Sequence, residues 1–255
     1  MTVAVDTNEL TEKVQRMYRA VATEPGGEYH FELGRSLAEQ LGYPAPVLDR
    51  IPAGAIESFA GVGYFFDLAE LREGESVVDL GSGAGTDAFF AAAQVGATGT
   101  VVGVDFTAEQ LAKARRLAAQ GGFAQVEFRD GRIERVPADA RSVDCVISNG
   151  VINLAPDKER VFAEAARLLR TGGRLAIADI VSDRRLEESI VCDADLWASC
   201  IGGAAQEDTY RQAIGAAGLR IERLRRNPYE FISPRARDAG AKYGVKSVSL
   251  LARKE

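Results

Sequence analysis

Apolar residues recur along this chain in two rhythms. Five short, β-branched runs stand at 76–80 (SVVDL), 100–105 (TVVGVD), 125–129 (QVEFR), 143–148 (VDCVIS) and 173–179 (GRLAIAD). Their length and their bounding turn residues predict buried strands. The windows 85–96, 108–120 and 157–169 between them carry apolar residues three or four apart, which predicts amphipathic helices. Strands alternating with helices imply an α/β fold, a mostly parallel sheet covered on both faces. Upstream, Leu10, Val14, Met17, Tyr18 and Val21 mark a helix over 8–22, and a second helical pattern covers 32–41. A Pro/Gly-punctuated stretch over 43–66 leads into the alternating region. Downstream the pattern predicts a helix at 206–217, a strand at 219–225, a short helix at 234–242 and a strand at 246–252. The two late strands are expected to pair antiparallel at the sheet edge. The expected division is a helical N-terminal extension or lid, residues 1–66, and a ligand-binding core, residues 67–255.

Composition narrows the class. The chain has 255 residues, 46% hydrophobic and 27% charged, with a net charge of −6. That balance gives no electrostatic reason to expect nucleic acid or an anionic membrane as partner. No apolar run has the length of a membrane span, and residues 1–18 lack the apolar region of a secretory signal. Three cysteines, Cys145, Cys192 and Cys200, without framework spacing fit a reducing cytoplasm. With one histidine, His30, a histidine-built metal site is excluded, and no metal is expected. A monomer is expected, since no heptad or long exposed edge strand is evident.

The chemistry concentrates after the first strand, in VVDLGSGAGTDAFF (77–90). Glycines there let the backbone approach a ligand, and the following helix offers unpaired N–H groups. The dinucleotide fingerprint needs a third glycine where Thr86 stands. Gly81-Ser82-Gly83-Ala84-Gly85, with Asp79 before it, is instead similar to the turn of S-adenosylmethionine (SAM) methyltransferases. Asp79 suits the cofactor's ammonium, or caps the turn. Asp105, ending the second strand, is placed to accept both ribose hydroxyls. Capping the next helix is its other role, for which Thr107 already stands ready in T-A-E-Q. Arg132 and Ile133, after the third strand, are candidates for the adenine side, or members of a plain loop. Asn149 and Gly150, after the fourth, line the pocket mouth or make a turn.

The run DLGSGAGTDAFFAAAQVGATGTVVGVDFTAEQLAKARRLAA, with GRIERVP, VISNGVINLAPDK and LLRTGGRLAIADIV, resembles the arsenite methyltransferases over roughly residues 57–220. SNGVINLAPDK and CIGGA (200–204) are its most specific pieces. The resemblance implies a Rossmann-like methyltransferase sheet with an antiparallel C-terminal strand inserted. It implies SAM as cofactor, held near Gly81, Ser82, Gly83, Asp105, Phe106, Ile133 and Asn149, with Tyr18 nearby. It also implies a small-molecule or metalloid substrate.

The departures concern sulfur. The family's G-C-G element is Gly61-Val62-Gly63 here, and its SNCVINL carries Gly150. Cys200 alone matches a metalloid-binding thiol by motif; Cys192, eight residues earlier, is its candidate companion, and the two form the expected catalytic pair. Trivalent arsenic prefers thiolates, as soft metals do. Cys145, inside a strand, reads as buried packing. Trp197, one helical turn before Cys200, walls the substrate pocket or anchors a core. Tyr29, His30, Phe59 and Tyr64 read as packing of the extension rather than as pocket walls. An organic small-molecule acceptor is the alternative substrate, and a SAM-binding module without catalysis stays open. A nicotinamide oxidoreductase is disfavoured by the missing glycine and by the lack of a Tyr-x-x-x-Lys pair.

Overall fold

A computed structural model describes residues 6–193, 196–197 and 201–255. Its centre is an eight-stranded sheet in the order β3-β2-β1-β4-β5-β8-β7, with the two-residue β6 (Ala205–Gln206) beside the end of β5. Strands β1 (Ser76–Leu80), β2 (Thr100–Asp105), β3 (Val126–Asp130), β4 (Val143–Asn149) and β5 (Leu169–Ser182) run parallel. The C-terminal strand β8 (Lys246–Lys254) inserts antiparallel between β5 and β7 (Leu219–Arg226). The late pair is therefore antiparallel as expected, with β7 alone at the edge. Charged side chains along β7, Arg220, Glu222, Arg223 and Arg225 among them, guard that edge against further pairing.

Both faces are covered, because successive strand residues point to opposite sides. Val77, Cys145 and Ala176 join one core with helices α6 (Thr86–Val95) and α7 (Ala108–Gly121); Val78, Val146 and Leu175 join the other with α8 (Lys158–Leu168) and the helix Glu207–Ala216. Burial pushes the Cys145 thiol up to about 12, so it stays a neutral packing group.

The N-terminal residues add four short helices, α2 (Gly34–Leu41), α3 (Ala45–Leu48), α4 (Ala53–Glu57) and α5 (Phe66–Ala69), to the long α1 (Thr7–Thr23). The last three replace the irregular stretch expected over 43–66; each is one or two turns, too short to leave a periodic signature. Asp6 caps α1 by accepting from Asn8 and Glu9 N–H. Its far end is fastened to α7: Lys113 Nζ donates to Ala22 O (3.3 Å) and Ser58 Oγ (2.8 Å), and Ser58 Oγ donates to Val21 O (2.9 Å). A cation at a helix C-terminus also meets the favourable end of the dipole. Gln110 adds a bond from Nε2 to Tyr18 O at 2.9 Å, and Arg19 pairs with Glu109.

Lys113→Met removes two donors to buried oxygens and should cost about 1–3 kcal/mol, the penalty for stranded acceptors. Urea unfolding would read that loss, and hydrogen exchange would place it in residues 7–23, with β1 and β4 still protected.

Candidate active site at the sheet switch point

Strand order reverses between β1 and β4, and open α/β sheets bind ligands outside the carboxyl ends of such strands. Here β1 and β4 end in register, Leu80 beside Ser148, with Ser148 Oγ donating to Leu80 O at 2.8 Å. The chain then leaves β1 into the glycine turn. Gly81 and Ser82 N–H both donate to Val104 O (2.8 and 3.0 Å), so the turn is sewn to the end of β2. At Gly81 φ is +73°, and a β-carbon would stand 2.5 Å from Val151 Cγ1. Only glycine fits there. The cleft above the turn holds about 1070 Å³ of space not filled by protein atoms, the open solvent at its mouth included.

Three buried carboxyls face this cleft. Asp105 Oδ2 accepts Gly83 N–H (2.9 Å) and its Oδ1 accepts Thr107 N–H (2.8 Å). Thr107 is the α7 N-cap residue but makes no side-chain cap bond; its hydroxyl serves Asp105. Each Asp105 oxygen keeps a lone pair for another donor. Asp79 accepts from Ala88 N–H in the first turn of α6, but its Oδ2 has no partner. Burial first, then the charges of Asp87 and Asp105, hold the Asp79 carboxyl well above the usual carboxylate range. Burial pushes Asp87 up to about 6, against hydrogen bonds from Tyr43 and Asn149 that favour its charge. Such a cluster is short of positive charge, and an ammonium or sulfonium would supply it. The unpartnered Asp79 Oδ2 and Ser82 Oγ, both inside the cleft, fit the amino-acid end of SAM.

Asn149 closes the deep end. Its Nδ2 donates to Asp87 Oδ2, Tyr43 Oη and Gly63 O, each at 3.0 Å, and its Oδ1 accepts Val62 N–H at 2.8 Å. Tyr43 Oη donates to Asp87 Oδ1 at 2.6 Å. Leu10, Thr11, Val14 and Tyr18 of α1 form the roof, and Arg132 lies over the Phe106 ring at 5.6 Å.

The cleft thus gathers Tyr18, Asp79, Gly81, Ser82, Gly83, Asp105, Phe106, Arg132, Ile133 and Asn149. Gly150 is not among its described lining residues: its N–H donates to Ala178 O, and a β-carbon there would stand 3.2 Å from Val62 Cγ1. Cys192 closes the helix Glu188–Val191, donating its N–H to Glu188 O, and does not line the cleft either. Cys200 lies outside the described residues, so the candidate catalytic pair is not seen together. Trp197 is buried in the core, its Nε1 donating to Val191 O at 2.5 Å. Phe59 lines the cleft; Tyr29, His30 and Tyr64 do not, and His30 packs edge-on against Phe31.

Sequence reasoning missed Asp87, Tyr43, Gln110 and the loop residues Val151 and Leu154–Pro156. An acid in a first helical turn reads as a partner for the dipole, and only its burial marks Asp87 otherwise. Tyr43 stands 44 residues away in an aperiodic stretch.

A methyltransferase-domain family model matches residues 71–218. The arsenite methyltransferase of Halobacterium salinarum is 37% identical over 98% of this chain, which covers 68% of that protein. The one from Aquipseudomonas alcaligenes is 41% identical over 70% of this chain, which spans 53%, about half, of its length. Among solved structures, an arsenic(III) S-adenosylmethionine methyltransferase from Chlamydomonas reinhardtii superposes with a TM-score of 0.64 at 30% identity, over 87% of this chain and 74% of that one.

The raised carboxyls give a signed pH dependence. A cation needs them ionised, so SAM affinity should rise with pH through about 6 as Asp87 ionises, and rise again where Asp79 does, as read by calorimetry. Stability without ligand runs the other way. A folded pKa raised above the unfolded value makes Asp87 stabilising in acid, and that contribution is lost as pH rises through about 6. Asp79→Asn should abolish most SAM binding and leave the protein at least as stable near neutral pH.

Proposed function

The chain belongs to the arsenite methyltransferase family of SAM-dependent methyltransferases, and on that footing we propose that it methylates arsenite or a related thiol-bound metalloid. The observation that carries the substrate is the 37% identity to the Halobacterium enzyme along nearly the whole chain. The motif ASCIGGA, which places Cys200 where the family resemblance expects a metalloid thiol, supports it.

SAM supplies a methyl group on a sulfonium, a leaving group that needs no proton. The protein's task is therefore to hold, align and dry the reacting groups. In this reading Asp79 takes the cationic end and Asp105 the ribose diol, while Phe106, Arg132 and Ile133 border the base. Asn149 fixes Gly61–Gly63 against the cleft, and Val151 and Leu154 keep water from its far wall. Residues 1–66 act as a lid on the core of residues 67–255; the α1 side chains Leu10, Val14 and Tyr18 over the cleft support that division. Cys200, with Cys192 as companion, would present the soft arsenic centre, whose lone pair is the nucleophile.

One observation favours a second reading, an organic small-molecule acceptor. No sulfur lines the cleft among the described residues, and Val62, at the family's G-C-G cysteine position, is buried with its methyls beside Gly150. A metalloid delivered as a thiol conjugate needs fewer protein thiols, which keeps the first reading ahead.

Incubation with SAM, arsenite and glutathione should yield methylated arsenicals by mass spectrometry. Cys200→Ser should reduce that yield by about tenfold or more, and Cys192→Ser by less. Wild-type turnover in both variants would remove the thiol role, and no methylated arsenical at all would move the organic acceptor ahead.

A further inference from the structure

The motif SNGVINLAPDK ends on a lysine that the cleft does not use. Lys158 is the first residue of α8, after the N-cap Asp157, whose carboxylate accepts Arg160 N–H at 3.0 Å. A cation at a helix N-terminus opposes the dipole. The ammonium is also withdrawn from water, which pulls it down to about 8 in spite of attraction from Asp179 and Asp157. Two unfavourable circumstances at one group call for compensating contacts, and these are specific. Nζ donates to Asn153 O (3.2 Å) and Ala155 O (2.9 Å), and it sits 4.8 Å from the centre of the Trp197 ring.

Those partners belong to two different parts of the molecule. Asn153 and Ala155 are in the loop whose Val151, Leu154 and Pro156 wall the cleft, directly against Gly81. Trp197 lies beside the CIGGA motif. A β-carbon at Gly202 would run into Trp197 Cδ1, and one at Gly203 would run into Asn153 O, the same carbonyl that Lys158 holds. The two glycines thus stand where the cleft loop and the segment after position 200 press together. Asp179, whose charge acts on the Lys158 ammonium, accepts from Tyr210 Oη (2.7 Å), from Ile180 N–H (2.8 Å) and from Asn153 N–H, so the loop has a second anchor beside Lys158. The Asn153 amide, fully buried, has neither Oδ1 nor Nδ2 paired, so its side chain adds no hydrogen bond to hold the loop.

We propose that Lys158 is a positioning residue for methyl transfer, fixing the cleft wall of residues 151–156 against Trp197 and the Gly202–Gly203 stretch so that this wall stands in one geometry to the glycine turn. The inference rests on the methyl-transfer activity and not on the metalloid as acceptor. In-line transfer loses rate steeply with displacement, about a hundredfold for an ångström. A clamp that holds this one wall of the cleft to the core beside Trp197 therefore acts on turnover more than on SAM affinity.

The test uses the full chain with Lys158→Met and Lys158→Arg. Three readouts are SAM affinity by calorimetry, steady-state methylation of arsenite with glutathione, and hydrogen exchange of peptides spanning 150–156 and 201–204. Lys158→Met should lower kcat by roughly tenfold or more with a smaller change in KM and SAM affinity within about twofold, and Lys158→Arg should recover most of it. Unchanged kcat in Lys158→Met overturns the proposal. A loss of SAM affinity parallel to kcat, or Lys158→Arg no better than Lys158→Met, does so as well. If the wild type leaves arsenite unmethylated, the metalloid reading fails by itself and exchange decides. Faster exchange in both peptides with the 81–85 turn unchanged supports the clamp, and wild-type protection in both overturns it. Should Lys158→Met not fold, Lys158→Gln, able to serve one carbonyl, takes its place under the same outcomes.

Discussion

Three carboxyls buried at the open end of a sheet are the constraint around which this molecule is arranged. Asp105 is satisfied by backbone donors from the glycine turn and from Thr107. Asp87 has Tyr43 and Asn149. Asp79 has one helix amide and an oxygen left over. A buried carboxylate without full compensation is costly, and proteins retain such costs at functional sites. The imbalance says what the cleft is short of: a cation carrying hydrogen-bond donors. The glycine turn must be where it is for the same reason, since Gly83 N–H is one of the donors that make Asp105 tolerable. Turn, strand ends and carboxyls are therefore one unit, in which the charges of Asp87 and Asp105 both act on Asp79.

How much of this a sequence shows follows from the range of the interactions involved. The strands were legible because each is a short apolar run bounded by turn residues, and the glycine turn because its spacing is local. Asp105 could be placed from the end of its own strand. Asp87 and Tyr43 could not, since their meaning lies in one hydrogen bond between residues far apart in the chain. The helices α3, α4 and α5 escaped because four or five residues cannot display a period of 3.6. Gly150 shows the converse case. A residue next to a strand end invites a pocket role, while its positive φ and its packing against Val62 show a demand of the backbone that the sequence does not display.

The two departures from the family's thiol pattern are not independent. Gly150 carries φ +69°, and the nearest atom to a β-carbon there belongs to Val62. Val62 is itself locked, its N–H on Asn149 and its carbonyl accepting from Ser247 Oγ at 2.6 Å. A larger residue at 150 requires room that valine occupies, and a smaller residue at 62 would leave a void against glycine. The two positions are therefore packed against each other, and a change at one is felt at the other.

Methyl transfer from a sulfonium asks for little acid–base chemistry, and the described cleft accordingly holds no histidine. It asks instead for dryness and alignment, which are properties of the enclosure. The enclosure here is built from three separately fastened pieces. The roof, α1, is held by Lys113, Ser58 and Gln110. The deep end is held by Asn149, whose amide spends both its oxygen and its nitrogen on Gly61–Gly63 and the Tyr43–Asp87 pair. The far wall is held through Asn153 O and Ala155 O. Each fastening includes bonds from a side chain to backbone oxygens or amides, so it fixes main-chain position while leaving other lining side chains to be chosen for the acceptor. Such a division lets one cofactor cleft serve different acceptors by changes in the lining, without disturbing the carboxyls that hold the cation.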